Sequence, residues 1–159
     1  MGRILYDTAT SLDGWIADEQ HSLDWLFAVD GGEQPEEGLL PSDAAVLVEG
    51  SCTYEWLLRT EEVLENPEKW QGLHGDRPTF VFTTRDLPVP TGADVRLVRG
   101  PVADVLPRIR EAAAGRDVWV VGGGDLAAQF LEADALDEIA VSVAPVTLGG
   151  GAPLFPRRV

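Results

Sequence analysis

Short apolar runs alternate along the chain with segments of helical periodicity. The runs at 3–8, 44–49, 79–84, 95–99, 117–121 and 138–144 are apolar enough to predict buried strands. Between them, the segments 23–28, 53–64, 101–114 and 125–132 have the spacing of helices that bury one face. This alternation predicts a three-layer α/β fold, with a mostly parallel central sheet and helices on both faces.

A glycine triplet joins the predicted strand 117–121 to the predicted helix 125–132. Because Gly122, Gly123 and Gly124 carry no side chain, a ligand can approach their backbone closely. The free N–H groups and the positive dipole end of the following helix attract an anion such as a pyrophosphate. The alternative is a tight turn whose glycines only relieve crowding, and an isolated triplet favours that second interpretation.

Glycine and polar residues also follow the first three predicted strands. The first strand ends near an Asp13–Gly14 turn. After the second, Gly50 permits a sharp turn and Thr53 is suited to cap a helix. The third leads into 83–85, Thr-Thr-Arg, whose guanidinium suits bidentate phosphate recognition. Because open α/β sheets bind ligands at the carboxyl ends of their strands, these residues predict one binding edge.

Length and composition fit one globular unit. The chain has 159 residues, of which 45% are hydrophobic and 25% charged, so we expect a single domain spanning 1–159. Twenty-seven acidic and twelve basic residues leave a net charge of −15, which argues against nucleic acid or an anionic membrane as a partner. An anionic ligand would need basic groups close to it.

Cysteine and histidine usage predicts a cytoplasmic protein without a metal. Cys52 is the only cysteine, so no intramolecular disulfide forms, and the two histidines are too far apart for a zinc motif. The N-terminus lacks an apolar signal core, and no run reaches the roughly 20 apolar residues of a membrane span.

Five motifs in order carry a resemblance to a known family. They are Ser-Leu-Asp-Gly-Trp-Ile-Ala at 11–17, Leu-Asp-Trp-Leu at 23–26, Gly-Ser-Cys-Thr-Tyr at 50–54, Val-Gly-Gly-Gly at 121–124 and Pro-Val-Thr-Leu-Gly-Gly-Gly-Ala-Pro-Leu-Phe at 145–155. Nearly the whole chain resembles the dihydrofolate reductase-like superfamily. Within it, the chain is most similar to the C-terminal reductase domain of bifunctional riboflavin-biosynthesis deaminase-reductases. A Rossmann fold is disfavoured, because the glycines come late and lack the Gly-x-Gly-x-x-Gly spacing.

The resemblance implies an NADPH site along this edge. The residues implied to contact the cofactor are Thr8, Ala9, Ile16, Gly50, Ser51, Cys52, Thr53, Thr83, Thr84, Arg85, Gly122, Gly123, Gly124, Asp125 and Leu126. Ser51 stands where the family usually has an Arg that recognises the 2′-phosphate, which removes a contact of about 1.5 to 3 kcal/mol and leaves NADH open as the cofactor. Arg85 is expected to compensate from the adjacent strand end.

Two carboxylates are candidates for the proton donor that a reductase needs beside its substrate. Asp24 precedes apolar residues that would raise its pKa, and Asp13 is the second candidate. The alternatives are that Asp24 is a helix N-terminal acid favoured by the dipole and that Asp13 only forms its turn. Cys52 is predicted to be a small buried packing residue, and both histidines are predicted to be solvated.

Trp25, Trp56 and Trp119 are spaced like core or interface residues, so core packing is expected for them.

Two functions stay open at this point. The first is an NADPH-dependent reductase of a small heterocyclic substrate, such as the aminouracil intermediate of riboflavin synthesis or a pterin. The second is an inactive protein that keeps only the nucleotide site. The resemblance also implies a homodimer. The family usually continues after Phe155 with an antiparallel strand pair, which the resemblance does not extend to here, so one sheet edge is expected to be bare, shortened or covered by another subunit.

Overall fold

The computed structural model describes residues 1–30 and 39–159, and the predicted loop 31–38 lies outside the described residues. The strands are β1 Ile4–Ser11, β2 Trp15–Ala17, β3 Val46–Gly50, β4 Thr79–Phe82, β5 Val95–Val98, β6 Val118–Gly122, β7 Glu138–Ala144 and β8 Ala152–Pro153. The helices are α1 Asp24–Phe27, α2 Ser51–Thr60, α3 Pro67–His74, α4 Val102–Ala113 and α5 Gly124–Glu132.

The central sheet has six strands in the order β5-β4-β3-β6-β1-β7, and all its pairings are parallel. All six predicted strands are present, and the expectation of a parallel sheet is confirmed. The sheet order places β3 and β6 side by side, although they are far apart in sequence. Their carboxyl ends lead directly into α2 and α5, so the starts of these two helices meet at one edge of the sheet.

Helices cover both faces of the sheet, as the sequence predicts. On one face, α4 and α5 bury Val105, Ile109 and Phe130 against strand residues such as Tyr6 and Val120. On the other face, α2 and α3 form a second core from Tyr54, Leu58, Val63, Trp70 and Val81. Because side chains alternate along a strand, the residues of β1 and β6 that do not enter the first core point to the opposite face of the sheet.

Helix α3 was not among the predicted elements. It begins at Pro67, which suits a first helical turn, and buries Trp70 and His74, which are spaced i and i+4. His74 is 6% exposed, so the prediction of a solvated histidine is wrong for this residue. Its Nε2 lies 2.7 Å from Oε1 of the fully buried Glu49, and its ring stacks on Trp70 with centroids 4.0 Å apart.

A short antiparallel pair was also missed in the sequence. β2 pairs with β8, and the backbone amide of Leu154 donates a 3.0 Å hydrogen bond to the carbonyl oxygen of Gly14. This pair holds the 145–155 motif against the end of β1. At the side edge of the sheet, β7 pairs only with β1 within the described part of the chain.

No helix among the described residues is long and apolar enough to cross a bilayer.

Candidate functional site

A cavity of about 380 Å³ opens at the carboxyl ends of β1 and β6. The floor of the cavity is the part of the sheet next to the second core that this core does not cover, and it includes Ala9 of β1 and Val121 of β6. Helix α2 forms one wall with Trp56, and Ile16 of β2 and Leu26 of α1 lie on the opposite side. The lining is mostly apolar, which suits a small organic ligand.

The structure brings part of the predicted site together at this cavity. The predicted residues that line it are Thr8, Ala9, Ile16, Cys52, Thr53, Gly122 and Gly123. Gly50 and Ser51 stand beside it at the start of α2, while Gly124, Asp125 and Leu126 begin α5. Thr83, Thr84 and Arg85 follow β4 at the same edge but do not line the cavity.

Both helix starts at this edge offer backbone donors. Gly50 precedes α2 and Gly123 precedes α5 in extended conformations, and no side chain of residues 1–30 or 39–159 caps either helix start. The first N–H groups of a helix have no intrahelical acceptor, so they are available to a phosphate. Thr53 is the third residue of α2, so the prediction that it caps the helix is wrong.

The three glycines of the triplet have different roles. A Cβ on Gly123 would meet only Cδ1 of Ile16, at 3.8 Å, and Gly122 has a φ of 144° that favours glycine. A Cβ on Gly124, however, would overlap the carbonyl oxygens of Pro153 and Leu154. The open space for a ligand is therefore beside Gly122 and Gly123. Gly124 is required by close packing of the protein's own chain, which corrects the view of a uniform triplet.

Arg85 is already held by another side chain. Its guanidinium donates hydrogen bonds of 2.9 and 2.7 Å to the two carboxylate oxygens of Glu55 in α2. The hydrogen bond with Arg85 is the main cause that lowers the pKa of the Glu55 carboxyl. The expectation that Arg85 compensates for the missing arginine at Ser51 stays a prediction, and to meet it Arg85 would have to leave or share its exposed ion pair with Glu55.

Asp13, one of the two proton-donor candidates, joins two segments of the chain and does not line the cavity. Its carboxylate accepts hydrogen bonds from Oγ of Ser11 at 2.7 Å and from the backbone amides of Leu148 and Gly149 at 3.0 and 2.8 Å. These donors, Ser11 first, lower its pKa to about 2. Asp13 is exposed and lies outside the cavity lining, so it holds the 145–155 segment in place.

Asp24 is exposed and also lies outside the cavity lining. The neighbours Leu23 and Leu26, which are three residues apart and share one side of the short helix, line the cavity instead. The carboxylate of Asp24 is therefore exposed and is not enclosed by the apolar residues that line the cavity. The position is better explained by the helix N-terminal alternative.

Asp7 is the carboxylate that the sequence analysis missed. It lies on β1 two residues before Ala9, lines the cavity, and is half-buried. Burial is the main cause that raises its pKa, and the nearby charge of Glu138 adds to the effect. The available signal was an acidic residue inside the apolar run 3–8, where a surface-seeking carboxylate is unusual.

Three other cavity residues were assigned differently from the sequence, whereas His21 is exposed, as predicted. Trp56 and Trp119 are half-buried and line the cavity, so the prediction of core packing is wrong for them. Cys52 is exposed at the cavity, not a buried packing residue. His21 also lines it. The signal for Trp119 was its alternation with the core residues Val118 and Val120, which places it on the opposite sheet face.

Within the part of the chain that the structure describes, no cluster of three or more His, Cys, Asp or Glu side chains could hold a metal ion.

Comparison with known proteins agrees with this geometry. Residues 59–158 match the family model described as the RibD C-terminal domain. The protein YwjB of Bacillus subtilis (strain 168) is 32% identical over 154 residues, which cover 96% of this chain and 81% of that protein.

Solved structures show the same fold. A putative riboflavin biosynthesis protein from Shewanella sp. PV-4 matches with a TM-score of 0.72 and 31% identity over 99% of this chain and 84% of that one. A diaminohydroxyphosphoribosylaminopyrimidine deaminase/5-amino-6-(5-phosphoribosylamino)uracil reductase from Thermotoga maritima matches with a TM-score of 0.65 and 18% identity, over 97% and 48%. Dihydrofolate reductase from Enterococcus faecalis, in complex with NADP(H), matches with a TM-score of 0.59 and 17% identity, over 98% and 78%.

The fold is therefore of the dihydrofolate reductase-like class, with its cavity at the carboxyl edge of a parallel sheet. The chain belongs to the RibD C-terminal domain family, which is a family of reductases.

Proposed function

We propose that the protein is a reductase that uses NADPH to reduce a small heterocyclic substrate. The observation that supports this most is the ligand-sized cavity beside Gly122 and Gly123, flanked by two helix starts that lack side-chain caps. Space for close backbone approach and free N–H donors are the features that a dinucleotide with a pyrophosphate requires. The family membership supports the same conclusion.

The residues present fit the cofactor in a definite arrangement. The backbone amides at the starts of α2 and α5 would bind the phosphates, and Thr8, Ala9 and Ile16 would hold the nicotinamide at the cavity end. When bound, NADPH supplies a hydride to an electrophilic carbon of the substrate. Trp56 and Leu26 would exclude water from the apolar side of the cavity and help to orient the substrate.

The start of α2 offers little to distinguish NADPH from NADH. Ser51 provides no positive charge for a 2′-phosphate, and the carboxylate of Glu55 neutralises Arg85. Both features reduce the discrimination that a free arginine would give. NADH is therefore proposed as a competing cofactor.

A second candidate is a nucleotide-binding protein without turnover. It is favoured by the position of Asp13 and Asp24, since neither of these expected proton donors lines the cavity. Asp7 then becomes the carboxylate on which catalysis would depend. This alternative shares the cofactor site with the first proposal and differs from it only in whether a hydride is transferred.

Two measurements test these functions. NADPH and NADH are titrated into the protein while tryptophan fluorescence is followed, because Trp56 and Trp119 line the cavity. A saturable change is expected, and its absence at millimolar cofactor contradicts both candidates. A panel of pterins and aminopyrimidines is then added, and nicotinamide absorbance is recorded. Loss of absorbance supports the reductase, whereas binding without oxidation supports the inactive protein.

We also propose that two copies of the chain form a cytoplasmic homodimer. On the edge strand β7, Ile139, Val141 and Val143 are 43%, 37% and 57% exposed and share one face of the strand. Such a stripe on an edge strand favours contact with another chain. Sedimentation equilibrium of the protein and of its Val143→Lys variant tests this, with a dimer expected for the former and a monomer for the latter.

A further inference from the structure

The described lining of the cavity carries few charged side chains. Among the described residues that line it, Asp7 is the sole carboxylate, and none is Lys or Arg. The segment 31–38 contains no Lys or Arg in its sequence either. The apolar part of the lining is large, and includes Leu23, Leu57 and Val121.

The strand geometry fixes where this carboxylate lies. On β1, Asp7 shares a sheet face with Ala9, which lines the same cavity. Tyr6, which precedes Asp7, points to the opposite face and enters the first core. The indole Nε1 of Trp119 donates a 3.3 Å hydrogen bond to the backbone carbonyl oxygen of Asp7, so the two residues lie side by side on the cavity floor. Gly122 and Gly123 lie near the carboxyl end of β6, further along the sheet than Trp119.

We propose that the part of the cavity around Asp7 takes a positively charged nitrogen base that carries no phosphate, held by an ion pair with the Asp7 carboxylate. This proposal specifies the substrate class of the proposed reductase. It rests on the proposed function because it assumes that the cofactor occupies the Gly122–Gly123 side of the cavity and leaves the Asp7 side to the substrate.

The charges on the chain support a cation and oppose an anion. A half-buried carboxylate attracts an opposite charge more strongly than a fully solvated one, because less water screens the pair. A phosphate at the same place would be repelled by Asp7 and would find no guanidinium or ammonium group in the described lining. The net charge of −15 also attracts cations and repels anions at longer range.

The inference separates this protein from the structural neighbour named as a 5-amino-6-(5-phosphoribosylamino)uracil reductase, whose substrate carries a phosphate. Arg and Lys are the usual side-chain partners of a phosphate, and the described cavity residues include neither; His21, which is exposed, is the one basic side chain among them. The proposed substrate class is therefore a protonated amine, amidine or ring nitrogen on a compact aromatic or heterocyclic body, which the apolar lining would accommodate.

The test uses four probes of nearly equal size that differ in charge. Benzamidinium, benzamide, benzoate and phenyl phosphate are titrated separately into the full-length protein without cofactor, with calorimetry and tryptophan fluorescence as readouts. Benzamidinium is expected to bind about tenfold or more tightly than benzamide, which is the size of a charge-assisted hydrogen bond. Benzoate and phenyl phosphate are expected to bind more weakly than benzamide.

A pair of variants identifies the group responsible. Asp7→Asn keeps the side-chain shape and removes the charge, and it is expected to abolish the tenfold preference for benzamidinium over benzamide. Asp43→Asn is the matched control, because it also removes one carboxylate, while Asp43 is exposed and absent from the described cavity lining. This variant is expected to keep the preference.

Tight binding of phenyl phosphate, or an unchanged preference in Asp7→Asn, would overturn the proposal. The comparison of the four probes on the unaltered protein decides the matter even where Asp7→Asn fails to fold. A separate NADPH titration distinguishes failure of the cation site from failure of the reductase proposal. Selective binding of benzamidinium without any binding of NADPH removes the reductase proposal and keeps the cation site, whereas the reverse result removes the cation site alone.

Discussion

The carboxylate of Asp13 accepts a 2.8 Å hydrogen bond from the backbone amide of Gly149. These residues lie 136 positions apart in the sequence, and the contact ties the end of β1 to the 145–155 motif. A second amide, that of Leu148, donates to the other carboxylate oxygen at 3.0 Å. Two segments that flank the cavity, at 11–17 and 145–155, are therefore joined by one side chain.

The first prediction concerns the pH range in which this contact stabilises the protein. The pKa of Asp13 is about 2 in the folded state, below its ordinary value of 3.8, so the charged form stabilises the fold. The stabilisation is fully present above the ordinary pKa and is lost as pH falls toward 2. Asp13→Asn should therefore lower the thermal unfolding midpoint at neutral pH, and its deficit should shrink in acid.

Asp43→Asn provides the control for this series, because Asp43 is exposed and makes no side-chain hydrogen bond or salt bridge with the described residues. The structural role of Asp13 would be contradicted if Asp13→Asn did not lower the unfolding midpoint at neutral pH, or if the difference in midpoint from the unaltered protein grew in acid.

Replacement of Gly123 tests the space proposed for the cofactor. Gly123→Val places a branched side chain in the gap next to Ile16, where the nearest side-chain atom is 3.8 Å from the added Cβ position. The φ of Gly123 is −80°, which valine tolerates, so the fold should survive while NADPH binding falls below detection. Fluorescence titration measures the binding, and circular dichroism checks the fold.

Gly72→Val is the matched control for that substitution. Gly72 is exposed on α3, and an added Cβ there meets no atom within 4 Å. This variant should bind NADPH as the unaltered protein does. Normal NADPH binding by Gly123→Val would show that the glycine edge is not the cofactor site.

Cofactor preference depends on the charge next to the start of α2. Ser51→Arg restores a cation at the position where the resemblance places 2′-phosphate recognition. The affinity for NADPH relative to NADH should rise about tenfold, equivalent to one charge-assisted hydrogen bond. Ser42→Arg adds the same charge at an exposed position outside the cavity lining and should leave the ratio unchanged. Equal gains in the two variants would indicate a nonspecific charge effect.

The buried pair of Glu49 and His74 should contribute strongly to stability. Glu49 has no exposed surface, and its Oε1 lies 2.7 Å from Nε2 of His74. His74→Ala leaves a buried carboxylate without this partner, which should cost about 3 to 5 kcal/mol in the free energy of unfolding. Urea unfolding measures this cost. The double variant Glu49→Leu, His74→Ala should lose less than the sum of the single losses, and simple additivity would contradict the pairing.

The sequence predicted the central sheet well because parallel strands are buried on both faces. Runs such as 44–49 and 117–121 are therefore continuously apolar and easy to recognise. Shorter elements gave no such signal. β2 and β8 have three and two residues, too few for a periodicity. Helix α3 contains Gly72 and begins within an Asn-Pro pair, which is typical of a turn.

The candidate site was only partly predictable for a related reason. Gly122 and Gly123 could be found because a strand, a glycine run and a helix follow one another in sequence. The cavity-facing role of Asp7 and Trp119 depends on which sheet face a helix leaves uncovered, and this is decided by packing between distant segments. Local sequence did show that Asp13 forms a turn, but the amides that lower its pKa come from residues more than 130 positions away.

A crystal structure of the protein with NADPH tests the central claim most directly. We expect the nicotinamide in the cavity near Thr8 and Ile16, and the phosphates at the starts of α2 and α5. Backbone atoms of Gly122 and Gly123 should contact the cofactor. Density for the cofactor at another place, with this cavity left to water or to rearranged side chains, would contradict the account.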